Sequence, residues 1–333
     1  MKAIVYGRYG SPDVLELREI DKPVVKDDEV LVRVRAAGLN PADWHYLRGH
    51  PYLVRLMIGL RPKGTTVLGS DMAGQVEAVG KEVTRFRPGD EVFAEVGFGG
   101  CAEYVSCSQA KLGLKPSNLT FEQAAVVPMA AMTALVGMRE VGQVQPGQKV
   151  LINGASGGVG TFAVQIAKAL GADVTGVCGT RNVDMVRSIG ADHVVDYTQE
   201  DFTRSEQRYD LMLDPVGNRR ISECRRVLTP KGTYGAVGGG GGRWLGPLAH
   251  QLRAVRSSPF VSRKMVAVDN KPNKDLDFLK ELIEAGKVTP VIDRTYPLAE
   301  APEALRYLEE GHARGKVVIT MRGATRRDDE GLT

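Results

Sequence analysis

The chain has 333 residues, 43% hydrophobic and 25% charged, a composition that suits two soluble domains each burying its own core. Its 44 basic and 40 acidic residues leave a net charge of only +4, which is too balanced for a nucleic-acid binder or a binder of anionic membranes. No apolar run approaches the roughly 20 residues of a membrane span, and four irregularly spaced cysteines exclude a disulfide framework, so a reducing, cytoplasmic setting is expected.

The opening Met1-Lys-Ala-Ile-Val5 reads as an immediate β-strand, without a signal peptide's long apolar region. Residues 30–35 alternate apolar and polar, 74–80 form a strand between glycines, and 87–93 are a turn feeding another strand. Residues 1–122 are therefore expected to form an all-β, barrel-like unit.

From Thr120 the rhythm changes. Residues 124–138, rich in Ala, Leu, Val and Met, predict one buried helix. Strands at 150–153, 173–178, 193–196, 209–214 and 233–237 then alternate with helices at 161–170, 182–189 and 219–228. Such alternation implies parallel pairing through right-handed crossovers, hence a doubly wound sheet, with the domain running over 123–285. Five glycines at 238–242 follow a strand, at a high cost in chain entropy unless backbone must approach a ligand there. A helix at 276–285 ends at Gly286. The segments 291–296, 299–310 and 316–320 have no place in the alternation, so residues 286–321 are expected to return to the β-rich unit. The polar tail 322–333 reads as disordered.

The most specific motif lies where the strand 150–153 enters Gly154-Ala-Ser-Gly-Gly-Val-Gly160 and then a helix. Against G-x-G-x-x-G, Ala155 replaces the first glycine while Gly157 and Gly160 keep their places. Gly157 would let backbone approach a pyrophosphate, and Gly160 would let the helix pack close to the strand. With Ser156, Gly158 and Val159 these residues are the candidate phosphate cradle at a helix N-terminus. A tight, ligand-free turn is the plainer alternative. An NAD-binding chain should place Asp or Glu at the end of the second strand, but here stand Cys178-Gly179-Thr180-Arg181. With no carboxylate expected to repel a 2′-phosphate, Arg181 is the candidate ligand for NADPH. Gly179 and Thr180 stand beside it, and Tyr197 would close the pocket. The alternative is a solvated arginine in a first helical turn, where the helix dipole disfavours a cation.

The sequence Ala37-Gly-Leu-Asn-Pro-Ala-Asp-Trp44, together with Leu68-Gly-Ser-Asp-Met-Ala-Gly74, the glycine loop, Leu282-Ile-Glu-Ala-Gly-Lys-Val288 and Gly315-Lys-Val-Val-Ile319, resembles the medium-chain dehydrogenase/reductase superfamily, and in particular its zinc-free quinone oxidoreductase branch. The resemblance implies a GroES-like β-barrel catalytic domain beside a Rossmann domain. Zinc-dependent members carry Cys where this chain has Asn40, and Gly-His-Glu where it has Gly69-Ser70-Asp71. Asn and Ser are poor Zn²⁺ ligands. Cys101 and Cys107 supply two of the four thiols a structural zinc lobe needs, so no metal is expected. Without a Lewis acid, reduction of a quinone or of the C=C bond of an enone asks less than alcohol dehydrogenation. Hydride attacks an electron-poor carbon and hydrogen bonds stabilise the enolate. By the same resemblance Asn40 faces the nicotinamide cleft as a donor, and Tyr46 or Tyr52 would supply a phenol. Thr133 and Val237-Gly238-Gly239 match positions near the nicotinamide. Each has a structural alternative: a helix threonine for Thr133, an apolar loop for Tyr52, and plain structural or solvated roles for His45 and Lys264. Family members are often dimeric, though no stretch here specifies an interface. The rival functions are a zinc-free carbonyl or alcohol dehydrogenase and an NADPH-binding module without turnover.

Overall fold

Two hydrophobic periods in the sequence become two large sheets. The computed structural model describes residues 1–50, 52, 55, 59–62, 65–238 and 263–321. One sheet has six strands, all parallel, in the order His193–Asp196, Asp173–Cys178, Lys149–Asn153, Tyr209–Asp214, Leu228–Ala236, Lys264–Ala267. Numbered along the chain this is 3-2-1-4-5-6, the doubly wound order, whose ligand crevice opens where the order reverses. That reversal falls between the carboxyl ends of Lys149–Asn153 and Tyr209–Asp214. The strand Val150-Leu-Ile is apolar throughout because helices cover both faces.

The other large sheet contains Glu29–Leu39, Asp71–Val79 and Glu91–Glu95 in antiparallel register, and it also receives the chain's last described strands. Lys316–Thr320 lies antiparallel to Glu29–Leu39 and parallel to Ile292–Pro297. The C-terminal return expected from the sequence is thus built into the N-terminal sheet. A three-stranded sheet of Glu16–Glu19, Lys2–Tyr6 and Thr66–Val67 flanks it.

Two expectations need correction. The single helix at 124–138 is broken: Phe121–Ala125 ends before Pro128, which opens Pro128–Val136 at its first turn, and a π-type turn Gly137–Val141 follows. Proline has no N–H to give the preceding turn, so it starts a helix better than it continues one. A sixth strand, Lys264–Ala267, joins the sheet beyond the five expected from the sequence. Lys264 lies on this edge strand and is exposed, consistent with a solvated lysine. The tail 322–333 and glycines 239–242 lie outside the described residues.

The largest core cluster joins Pro128–Val136, the helix Gly158–Ala169 and the helix Leu276–Glu284. Around it the two halves meet through polar contacts. Gly315 N–H donates to the Ser156 carbonyl at 2.9 Å. Gln165 brackets Thr289, donating to its carbonyl at 3.0 Å and accepting from its N–H at 2.8 Å. Asn270 donates to Glu95 at 2.8 Å.

Candidate active site

The turn that ends Lys149–Asn153 is made by Gly154, whose φ of 86° lies in the left-handed region that favours glycine. The tight-turn role assigned by motif alignment to the Ala155 position therefore belongs one residue earlier. Ala155 is fully buried, its N–H donating to the Val177 carbonyl, so its side chain faces the core rather than a ligand. A Cβ on Gly160 would lie 2.0 Å from the Gly154 carbonyl oxygen, so only glycine lets this helix approach its strand. A Cβ on Gly157 would meet only that same oxygen, at 3.5 Å, leaving open space over the backbone. Gly157 caps the helix without a side-chain hydrogen bond, and Gly158 and Val159 contribute first-turn N–H groups. Val159 also packs against the core. Ser156 Oγ accepts from Asn182 at 3.1 Å, while the buried Asn182 Oδ1 has no partner, leaving an acceptor beside the loop. This open cradle at a helix N-terminus fits a dinucleotide pyrophosphate.

At the ribose end the structure changes the expectation. Arg181 sits in a 3₁₀ turn, Thr180–Asn182, directly after the second strand. A carboxylate is nevertheless present. Asp196, at the end of the neighbouring strand, accepts the Thr180 hydroxyl at 2.6 Å and the Thr198 amide and hydroxyl at 3.0 and 2.8 Å. These bonds hold the Asp196 carboxyl below its usual range, the Thr180 hydroxyl contributing most. The Thr180 donor is therefore already engaged. Sequence reasoning missed Asp196 because it belongs to the third strand and meets Cys178 only through parallel pairing. Tyr197 is exposed, with its hydroxyl over Gly179, where a Cβ would stand 3.1 Å away. Arg181 itself donates from Nη2 to the His312 carbonyl at 2.8 Å, and Arg314 Nη2 donates to the Arg181 carbonyl at 3.3 Å.

On the other side of the loop lies a buried charge cluster. Asn40 ends the long strand and caps Pro41–Arg48, its N–H donating to Asp43 at 2.7 Å. Asn40 is 2% exposed; its Nδ2 donates to Asp71 at 2.9 Å, and its Oδ1 accepts from Lys316. Lys316 Nζ also donates to the Leu39 carbonyl at 3.0 Å, and its stem runs beside Gly158. Ser70 donates to Asp43 at 2.7 Å, and Asp71 accepts the Met129 amide. This corrects the role given to Asn40: its Nδ2 donates to Asp71 and, at 3.4 Å, to the Gly38 carbonyl, and its Oδ1 can only accept, so the amide is engaged in this network and not held open for a substrate carbonyl. Burial raises the carboxyl groups of Asp43, Asp71 and Glu95 and lowers the Lys316 ammonium, while the charges of Lys316 and Asp71 oppose the shift in one another. Burial is the largest cause in each case, and the single Lys316 charge only offsets it in the three carboxyl groups. Lys316 is 276 residues from Asn40, a pairing no local pattern announces.

Tyr46, on Pro41–Arg48, is half-buried against Phe98 at a ring-centroid distance of 5.3 Å. Burial, then Glu95 and Asp43, raise its phenol, which keeps its proton. It thus lies beside the acidic cluster where Glu95 is bonded from the nucleotide-side unit by Asn270. Tyr52 makes its described ring contacts with His50 and Arg55. His45 stacks on Trp44 and meets the His50 carbonyl, a structural role. Thr133 spends its hydroxyl proton on the Met129 carbonyl at 2.7 Å, which places it in the helix framework. Val237 N–H donates to the Asp214 carbonyl, and a Cβ on Gly238 would meet the Pro215 carbonyl at 3.4 Å, so both stand at the crevice mouth. Gly239 lies outside the described residues.

A GroES-like unit and a Rossmann-like unit meeting at an open glycine loop define a nicotinamide-dependent oxidoreductase. Residues 26–135 match the alcohol dehydrogenase GroES-like domain and residues 189–319 a zinc-binding dehydrogenase domain. The chain is similar to the chloroplastic NADPH-dependent alkenal/one oxidoreductase of Arabidopsis thaliana, at 35% identity over 96% of this chain and 79% of that protein. It is 34% identical to the mitochondrial NAD(P)H oxidoreductase RTN4IP1 of Mus musculus, over 96% of this chain and 89% of the relative. The structure of the quinone oxidoreductase from Coxiella burnetii superposes with a TM-score of 0.86 at 31% identity, covering 97% and 99% of the two chains. The chain belongs to the medium-chain dehydrogenase/reductase superfamily, among its quinone oxidoreductase-like members. Among the described residues no helix is long and apolar enough to cross a membrane.

Proposed function

We propose that the protein is a zinc-independent, NADPH-dependent reductase of quinones or of the C=C bond of α,β-unsaturated carbonyls. The observation that carries the reading is the Lys316 ammonium on Asn40, where metal-dependent relatives keep a thiolate for zinc. An amide bonded to a lysine neither ligates a divalent cation nor welcomes one beside it. Reduced nicotinamide, when bound, supplies the hydride. The chain's part is to bind and orient: Gly157, Gly158 and the helix N-terminus hold the pyrophosphate, and Arg181 faces the ribose phosphate. Tyr46 replaces Asn40 as donor to the carbonyl oxygen, because its phenol lies at the edge of the cluster and keeps its proton. Asp196 favours a second reading in which the oxidoreductase uses NADH, since a carboxylate there repels a 2′-phosphate. Four free, buried thiols support a reducing setting.

The test is a panel of quinones, enones and ketones followed by loss of reduced-nicotinamide absorbance, with product analysis. A saturated ketone supports the reading; an alcohol product, or activity that requires added zinc, defeats it. Arg181→Ala should raise KM for NADPH about 10-fold or more and leave KM for NADH nearly unchanged, as for a lost bond to a charged group. Equal effects on the two would transfer support to the second reading.

A further inference from the structure

Arg314, the second arginine at the ribose end, is unused by the reading above. Arg181 and Arg314 belong to different halves of the molecule, and each guanidinium donates through Nη2 to a neutral backbone oxygen of the other's segment. Neither side chain forms an ion pair among the described residues. The return loop that carries Arg314 is fixed on both sides. Gly311 and Gly315 have φ of 73° and 99°, and a Cβ on Gly315 would lie 2.4 Å from the Val291 carbonyl oxygen. The Arg314 N–H is held by Asp293 at 2.9 Å, and Asp293 also accepts the Tyr307 hydroxyl at 2.6 Å. Gly315 then bridges to Gly157, so the loop abuts the phosphate cradle itself.

Hydrogen-bond donors give the second arginine its part. A phosphate monoester carries about −1.5 to −2 at neutral pH. Asp196, bonded to the hydroxyl of the neighbouring Thr180, sets a negative charge at the same end of the site as the Arg181 cation. Arg314 brings a second guanidinium, set against the Asp293 carboxylate that holds its own N–H, so the selection of a phosphate falls to the guanidinium N–H donors and not to a net charge. Each guanidinium has five N–H donors, so either can take a phosphate oxygen without releasing the carbonyl it already holds.

We propose that Arg314 is a specificity-determining residue, which with Arg181 grips the phosphate on the adenosine ribose, so that cofactor choice is made by a cradle closed from both halves of the protein. This rests on the NADPH reading. It also explains how a site with a carboxylate at its edge takes the phosphorylated cofactor.

The test is calorimetric titration of the full chain with two probes that cannot react, 2′,5′-ADP and 5′-AMP, for the wild type, Arg181→Ala and Arg314→Ala. The expected result is a wild-type preference for 2′,5′-ADP. Each variant should lose about 10-fold of that preference while binding 5′-AMP as before. If Arg181→Ala loses the preference and Arg314→Ala keeps it, the NADPH reading stands and the Arg314 proposal is overturned. If Arg314→Ala weakens both probes alike, the residue only shapes the loop and the proposal fails. If the wild type binds both probes equally, the NADPH reading and the proposal fall together.

Discussion

The cluster around Asn40 and the clasp around Arg181 flank the same glycine loop and treat charge in opposite ways. In the cluster, Asn40, Asp43, Ser70, Asp71 and Lys316 are all nearly inaccessible and satisfy one another. Out of water, an unpaired polar group costs more than any single bond returns, so these groups bond to one another. In the clasp, exposed guanidinium groups rest on carbonyls and keep spare N–H groups. A buried network fixes geometry; an exposed one stays open to a ligand. Residues of the first kind are therefore read as positioning groups, and residues of the second as binding groups.

The contrast breaks most visibly at Lys316. Lys316→Met removes the bonds to Asn40 and the Leu39 carbonyl together with the charge that offsets Asp71 and Asp43, and should cost about 1–3 kcal/mol of stability, read by chemical denaturation. Adding Asp71→Asn should return much of it, because a neutral pair needs no cation. A single variant as stable as the wild type would refute the ion network. Tyr46→Phe probes the cluster's edge. It removes one hydroxyl and should lower kcat about 10²-fold with an enone while NADPH affinity holds. An unchanged kcat removes Tyr46 from the mechanism. Gly160→Ala and Gly157→Ala separate packing from binding within the loop. The first drives a methyl into the Gly154 carbonyl and should destabilise by about 1–3 kcal/mol. The second should leave the melting temperature nearly unchanged and weaken NADPH binding, because its methyl enters the space left for pyrophosphate. A Gly157→Ala protein that binds NADPH like the wild type would move the phosphate elsewhere.

The site was partly legible in the sequence. Gly157, Gly160 and Arg181 could be read because each role depends on neighbours a few residues away: a strand before, a helix after, a second strand at the expected distance. Asn40 stands out in the sequence as a candidate donor, but nothing local shows Lys316 arriving from the far end of the chain to engage its amide oxygen. Asp196 was hidden by parallel pairing. It follows Thr180 by 16 residues and reaches it only because the two strands lie side by side.

By itself the sequence determined what short-range stereochemistry controls. It set the alternation of strand and helix that makes the doubly wound half, the glycine turn onto a helix N-terminus, and the Asn and Ser that stand in place of metal ligands. Only the tertiary structure decided which polar groups are spent and which are free. That outcome depends on burial and on partners brought from far along the chain, Lys316 onto Asn40 and Arg314 onto Arg181, and these are set by how the last strand packs against the first half of the molecule.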